Sequence, residues 1–126
     1  MPRKIAMLIV MVVALLALGA AAALAQNQVI HCVRVPCYAT GSDDLVFERV
    51  GNGKQDRIFL RGGDDQVRAD TYHRDHDVIK GSAGFDLIYV SDGDTRDKIW
   101  GGKGRDKCYV DARSEVGAGC SVIIVR

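Results

Sequence analysis

Gly81-Ser82-Ala83-Gly84-Phe85-Asp86-Leu87-Ile88-Tyr89 and Gly101-Gly102-Lys103-Gly104-Arg105-Asp106-Lys107-Cys108-Tyr109 are two versions of one nine-residue phrase. Each has glycine at positions one and four, a small residue at two, Asp at six and an apolar residue at eight. With the sixth-position Asp as marker, eroded copies of the phrase recur at Asp44, Asp56, Asp65, Asp77 and Asp97. The seven markers stand 12, 9, 12, 9, 11 and 9 residues apart. Two phrases together therefore take 20 or 21 residues, as the steps from Asp44 to Asp65, Asp86 and Asp106 show. A fixed cadence of this length is the mark of a solenoid, each coil being two short strands joined by two turns. Antiparallel hairpins with Gly/Asp turns would account for the composition but not for the cadence.

The alternating spacing separates two edges. Asp65, Asp86 and Asp106 end the short intervals and have glycine at their fourth positions (Gly63, Gly84, Gly104); with Asp44 one coil earlier, they define a tight edge. Asp56, Asp77 and Asp97 end the long intervals, where glycine has mostly been replaced, and define a slack edge. The apolar eighth positions form two files, Val46-Val67-Ile88-Cys108 and Ile58-Ile79-Ile99-Val116. Stacked once per coil, these files make two largely β-branched ladders that fill a thin interior. Ala69, Val90 and Val110 continue the first file two positions on, with Glu48 interrupting it. The expected fold is all-β, a parallel β-helix or β-roll of about three to four coils.

Outside the repeats the chain divides readily. Pro2-Arg3-Lys4 is a short cationic head, Ile5 to Leu18 is apolar throughout, and Ala23-Leu24-Ala25 is a cleavage pattern. Residues 1–25 read as a secretion signal cleaved after Ala25, with an uncleaved membrane anchor as the alternative. The divisions that follow are an N-terminal cap over 26–38, repeats over 39–110 and a C-terminal cap strand over 111–126. After cleavage the product is expected to be secreted, with no stable membrane insertion. Its acids are fourteen Asp and only two Glu, and without a basic excess it offers nothing to attract nucleic acid. All four cysteines lie in the exported part, where oxidising conditions favour disulfides. Four cysteines allow three pairings. Cys32 and Cys37 flank the start of the repeats and Cys108 and Cys120 their end, so Cys32–Cys37 and Cys108–Cys120 are expected, each locking a cap.

The stacking creates an electrostatic problem. Strands in a parallel sheet lie about 4.8 Å apart, so the Asp of each coil falls above the Asp of the one before. Two carboxylates at that separation repel by roughly 3 kcal/mol at an effective dielectric of 20. A bound cation removes the repulsion. The repeated donors are carboxylates and carbonyls in glycine-rich turns, all hard oxygen ligands, which favours Ca2+ over a transition metal.

In these features the phrase resembles the haemolysin-type, or repeats-in-toxin (RTX), calcium-binding nonapeptide. That resemblance runs from about Ala39 to Tyr109 and is most specific over Gly81 to Tyr109. It implies a right-handed β-roll with calcium ions held between consecutive turns by backbone carbonyls and sixth-position Asp side chains. On this chain the implied tight-edge ligands are Asp44, Asp65, Asp86 and Asp106 with the turn residues Gly81, Gly84, Gly101 and Gly104. Asp56, Asp77 and Asp97 are weaker slack-edge candidates. Position five departs from the family where it is Phe85, Arg96 or Arg105. Lys54, Arg57, Lys80, Lys98, Lys103 and Lys107 crowd the turns, so salt bridges to the Asp files are the alternative to metal.

Of the remaining residues, His73, Asp75, His76 and Asp77 could be read as a zinc cluster, although an expanded slack turn suits solvated histidines better. No catalytic motif is present, and the chain is not expected to be an enzyme. The two functional classes are a calcium-responsive structural module and a calcium-independent adhesion or inhibitor module. The second would use exposed Phe47, Phe59, Tyr89, Trp100 and Tyr109. Neither reading identifies a protein or surface partner.

Overall fold

A computed structural model describes residues 27–48, 54–73 and 75–126. The expected secretion signal and cleavage site, and Gly51 and Gly53 of the Asp56 phrase, lie outside the described residues. The strands are β1 Val29–His31, β2 Cys37–Tyr38, β3 Leu45–Phe47, β4 Arg57–Phe59, β5 Gln66–Arg68, β6 Val78–Gly84, β7 Leu87–Tyr89, β8 Lys98–Gly104, β9 Asp106–Val110, β10 Val116–Ala118 and β11 Cys120–Val125. Among the described residues, the regular structure apart from one 3-10 turn at Arg113–Glu115 is all strand.

The chain winds alternately through two parallel sheets. One is ordered β1-β3-β5-β7-β9-β11 and the other β10-β8-β6-β4-β2. The register is the one the cadence predicts, with Val46 paired to Val67, Val67 to Ile88 and Ile88 to Cys108. On the opposite sheet Ile58 pairs with Ile79, Ile79 with Ile99 and Ile99 with Val116. Sheet alternation turns these residues inward, and all but the partly exposed Val116 are fully buried. Each such Val or Ile contributes about 1.5–3 kcal/mol by leaving water, which suits a core only two side chains thick.

The solenoid continues beyond the repeats. β1 and β2 pair with β3 and β4, and β11 pairs with β9, so Ile30 and Ile123 extend the first ladder and Cys37 the second. Both disulfides form as expected, Cys32–Cys37 and Cys108–Cys120. Cys32–Cys37 links the residue after β1 to β2 of the facing sheet, and Cys108–Cys120 links β9 to β11, its neighbour in the same sheet.

Outward positions form ladders too. His31 stacks on Phe47 with ring centroids 4.9 Å apart, and Tyr89 stacks on Tyr109 at 4.3 Å. The Arg68 and Arg126 guanidinium groups lie 4.7 and 4.5 Å from the Tyr89 and Tyr109 ring centres. On the other face Tyr38 stacks on Phe59, and the Lys80 ammonium lies 5.8 Å from the Phe59 ring and 5.6 Å from Trp100. Of the aromatics expected to be exposed, Trp100 is exposed at 37% and Tyr109 is buried at 9%, while Phe59, Tyr89 and Tyr109 lie under cations.

Candidate metal centre

On the tight edge each sixth-position Asp uses one carboxylate oxygen to clamp the coil before it. The backbone N–H of Asp44 donates to Asp65 Oδ1 at 2.7 Å, that of Asp65 to Asp86 Oδ1 at 3.1 Å, and that of Asp86 to Asp106 Oδ1 at 3.0 Å. The other oxygen, Oδ2 of Asp65, Asp86 and Asp106, is buried and accepts no hydrogen bond. Buried carboxylate oxygens without partners are costly, so a file of three calls for a ligand.

Glycine carbonyls converge on the same oxygens. A Cβ on Gly81 would collide with the Gly101 carbonyl oxygen and with Asp86 Oδ2. A Cβ on Gly101 would lie 2.6 Å from Asp106 Oδ2 and 2.7 Å from the Gly119 carbonyl oxygen. At position four, Gly63, Gly84 and Gly104 all have φ between 102° and 133°, and a Cβ on Gly84 or Gly104 would run into the carbonyl of the preceding coil's glycine. The left-handed backbone thus brings the carbonyls of successive turns together, as the repeat's glycines predict. The turns Gly81–Asp86 and Gly101–Asp106 therefore combine unpartnered carboxylate oxygens with carbonyls, an all-oxygen donor set of the kind a hard divalent cation takes.

Asp44 differs from the rest of its file. Its Oδ1 accepts from Gln28 N at 3.0 Å, and its Oδ2 accepts from both Thr40 N and Thr40 Oγ1 at 2.7 Å. A hydroxyl at position two thus satisfies the first coil internally. Beside it, the fifth-position acids form a second clamp, with Asp64 N donating to Asp43 Oδ1 and Phe85 N to Asp64 Oδ1, each at 2.8 Å.

The slack edge has the same clamp. Asp56 N donates to Asp77 Oδ1 at 2.8 Å and Asp77 N to Asp97 Oδ1 at 2.7 Å, while Oδ2 of Asp77 and Asp97 is buried without a partner. Here the structure adds carboxylates that the repeat does not announce. Glu48 joins Asp75 and Asp77; Asp75 also joins Asp92 and Asp94; Asp94 joins Asp97 and Glu115. Within each trio the oxygens lie within 4.8 Å of one another. The histidines stand outside these groups, and His76 Nε2 contacts the Arg96 guanidinium at 3.3 Å at the surface.

Burial raises the pKa values of Asp65, Asp86 and Asp106 on the tight edge and of Asp77 and Asp97 on the slack edge. Burial is the larger cause at every residue. It pushes Asp65 up to about 6, Asp86 to about 7, and Asp77 and Asp97 to about 8. Repulsion from adjacent coils adds to it, from Asp106 and Asp65 on Asp86 and from Asp77 on Asp97. Four nearby cations have partners outside the Asp files. Lys80 and Lys107 lie over aromatic rings, Lys98 Nζ donates to the Ser114 carbonyl at 2.6 Å, and Arg68 pairs with Asp70 at 2.9 Å.

The family model of the RTX calcium-binding nonapeptide repeat, in four copies, matches residues 50–71 and 74–108. No curated protein and no solved structure matches the chain.

Proposed function

The repeats of this chain are those of the RTX calcium-binding nonapeptide family, and on that premise we propose that it is a secreted calcium-responsive β-roll whose tight edge holds Ca2+ between consecutive coils. The observation that carries the reading is the file of buried, unpartnered Oδ2 atoms on Asp65, Asp86 and Asp106. Asp86 and Asp106, with the carbonyls of the turns Gly81–Asp86 and Gly101–Asp106, would hold the best-formed site. When bound, calcium supplies positive charge to carboxylates that burial otherwise drives toward protonation. This chain's own residues position the donors. The Oδ1 clamps fix each carboxylate, and Gly84 and Gly104 bring the turns into contact.

Against the alternative, a metal-free solenoid neutralised by salt bridges, stand Lys80, Lys98 and Lys107, which engage rings or a carbonyl instead of the Asp files. Export accords with both disulfides and with the apolar leader ending at Ala25. The test is calorimetric titration of metal-stripped protein with calcium, repeated on Asp86→Ala and Asp106→Ala. Binding heat in the parent that falls in both variants is expected. No heat and no change in melting temperature in the parent would refute the proposal.

A further inference from the structure

We infer that the slack edge carries a second set of hard divalent-cation sites, built from side-chain carboxylates rather than glycine-turn carbonyls, the leading one being Glu48, Asp75 and Asp77. Neither Glu48 nor Asp75 is a sixth-position residue, and the tight edge contributes none of these ligands. The inference therefore stands independently of the tight-edge proposal.

Glu48 ends the first coil's inner file, where Ala69, Val90 and Val110 occupy the later coils. It reaches from that coil to the next. Its Oε1 accepts from Thr71 N at 2.7 Å and Tyr72 N at 3.3 Å, which fixes the carboxylate across the coil boundary. Its Oε2, Asp75 Oδ1 and Asp77 Oδ2 are all buried and accept no hydrogen bond, and the three residues are exposed by only 4, 3 and 1%. Three bare oxygens on side chains gathered within 4.8 Å make a strongly anionic, all-oxygen cluster. Such a set selects a hard cation such as calcium.

The same construction recurs at the other end. Glu115 Oε2 accepts from Asp111 N at 2.8 Å and Ala112 N at 2.9 Å within its own turn, while its Oε1 is bare and the residue fully buried. It faces Asp97, whose Oδ2 is also bare, with Asp94 completing the trio. Both glutamates thus have one oxygen held by the backbone and one left for a ligand, Glu48 by bridging two coils and Glu115 by closing its own turn. The long turns that erased the glycines have replaced carbonyl donors with carboxylates.

The test is equilibrium dialysis of the intact, metal-stripped chain against calcium, comparing the parent with Glu48→Gln and Glu115→Gln. The amide oxygen of Gln preserves the backbone clamp in each case. Each substitution is expected to lower the number of ions bound by one, or to weaken one class of site at least tenfold, while the sites lost in Asp86→Ala stay filled. Melting temperatures supply a second readout: each Gln variant should show a smaller calcium-induced rise than the parent, with an equal or higher melting temperature in chelator. Unchanged ion number and affinity, with an unchanged calcium-induced rise, would overturn the inference. If one variant fails to fold, the other decides, because the two sites lie at opposite ends of the edge.

Discussion

Asp86→Asn should change sign with calcium. Asp86 is fully buried, its Oδ1 accepts from Asp65 N, and its Oδ2 has no partner beside the Gly101 carbonyl. Burial, then Asp106 and Asp65, raises its pKa from 3.8 to about 7. A raised folded-state pKa means that the folded state binds the proton more tightly than the unfolded state. The stabilisation this gives is complete below pH 3.8 and is lost as the pH rises through about 7. At pH 8, without metal, ionising this one residue therefore costs about 4 kcal/mol, a large share of the 5–15 kcal/mol that holds a typical domain together. Asn keeps the Oδ1 acceptor and removes the charge, and its amide faces the Gly101 carbonyl. In chelator at pH 8 the variant should be more stable than the parent by roughly 2–4 kcal/mol, or about 10 °C or more in melting temperature for a domain of this size. In excess calcium the order should reverse, because the variant has lost a charged ligand. In chelator at pH 4 the two should nearly coincide. Thermal melts followed by circular dichroism under the three conditions test this. A variant less stable than the parent in chelator at pH 8, with an undiminished rise on adding calcium, would refute the reasoning.

Four further outcomes are expected. Asp44→Asn should leave the number of bound calcium ions unchanged in equilibrium dialysis, because Gln28 and Thr40 already occupy both of its oxygens. Ser82 holds φ at 83°, where a non-glycine residue is strained, so Ser82→Gly should raise the calcium-saturated stability by about 1 kcal/mol in denaturant melts. Gly84→Ala places a Cβ against the Gly63 carbonyl at φ 133° and should lower that stability by several kcal/mol, with weakened calcium binding in the same titration. Reducing Cys108–Cys120, which closes a loop of sequence separation 12, should cost about 3 kcal/mol in the same melts.

The ladders were legible because they recur. Val46, Val67, Ile88 and Cys108 stand once per coil, and the structure pairs them in that order. The cysteines were legible from their places at the two ends of the repeats. Residues that occur once carry no period to read. Glu48 looked like an interruption of a core file, yet it is buried and clamps Thr71 and Tyr72. Glu115 lies beyond the last marker, and Asp75, Asp92 and Asp94 lie in turns whose lengths vary, so no spacing tied them together. The one available signal was compositional: the only two glutamates of the sequence, Glu48 and Glu115, both fall where the slack edge begins or ends. Asp44 shows the converse. Its place in the file is periodic, but its chemistry is set by Thr40, whose backbone N–H and hydroxyl both donate to Asp44 Oδ2, whereas Ser82, at the same position of the Asp86 phrase, stands at φ 83° and leaves Asp86 Oδ2 without a partner. The lysines were expected beside the Asp files, but strand alternation turned several of them outward onto aromatic rings.

The most direct measurement is an anomalous difference map from crystals of the protein grown in calcium. The account predicts a calcium peak between the turns Gly81–Asp86 and Gly101–Asp106, in contact with Oδ2 of Asp86 or Asp106. A map with no peak there, and with water or a lysine ammonium on those oxygens, would contradict it.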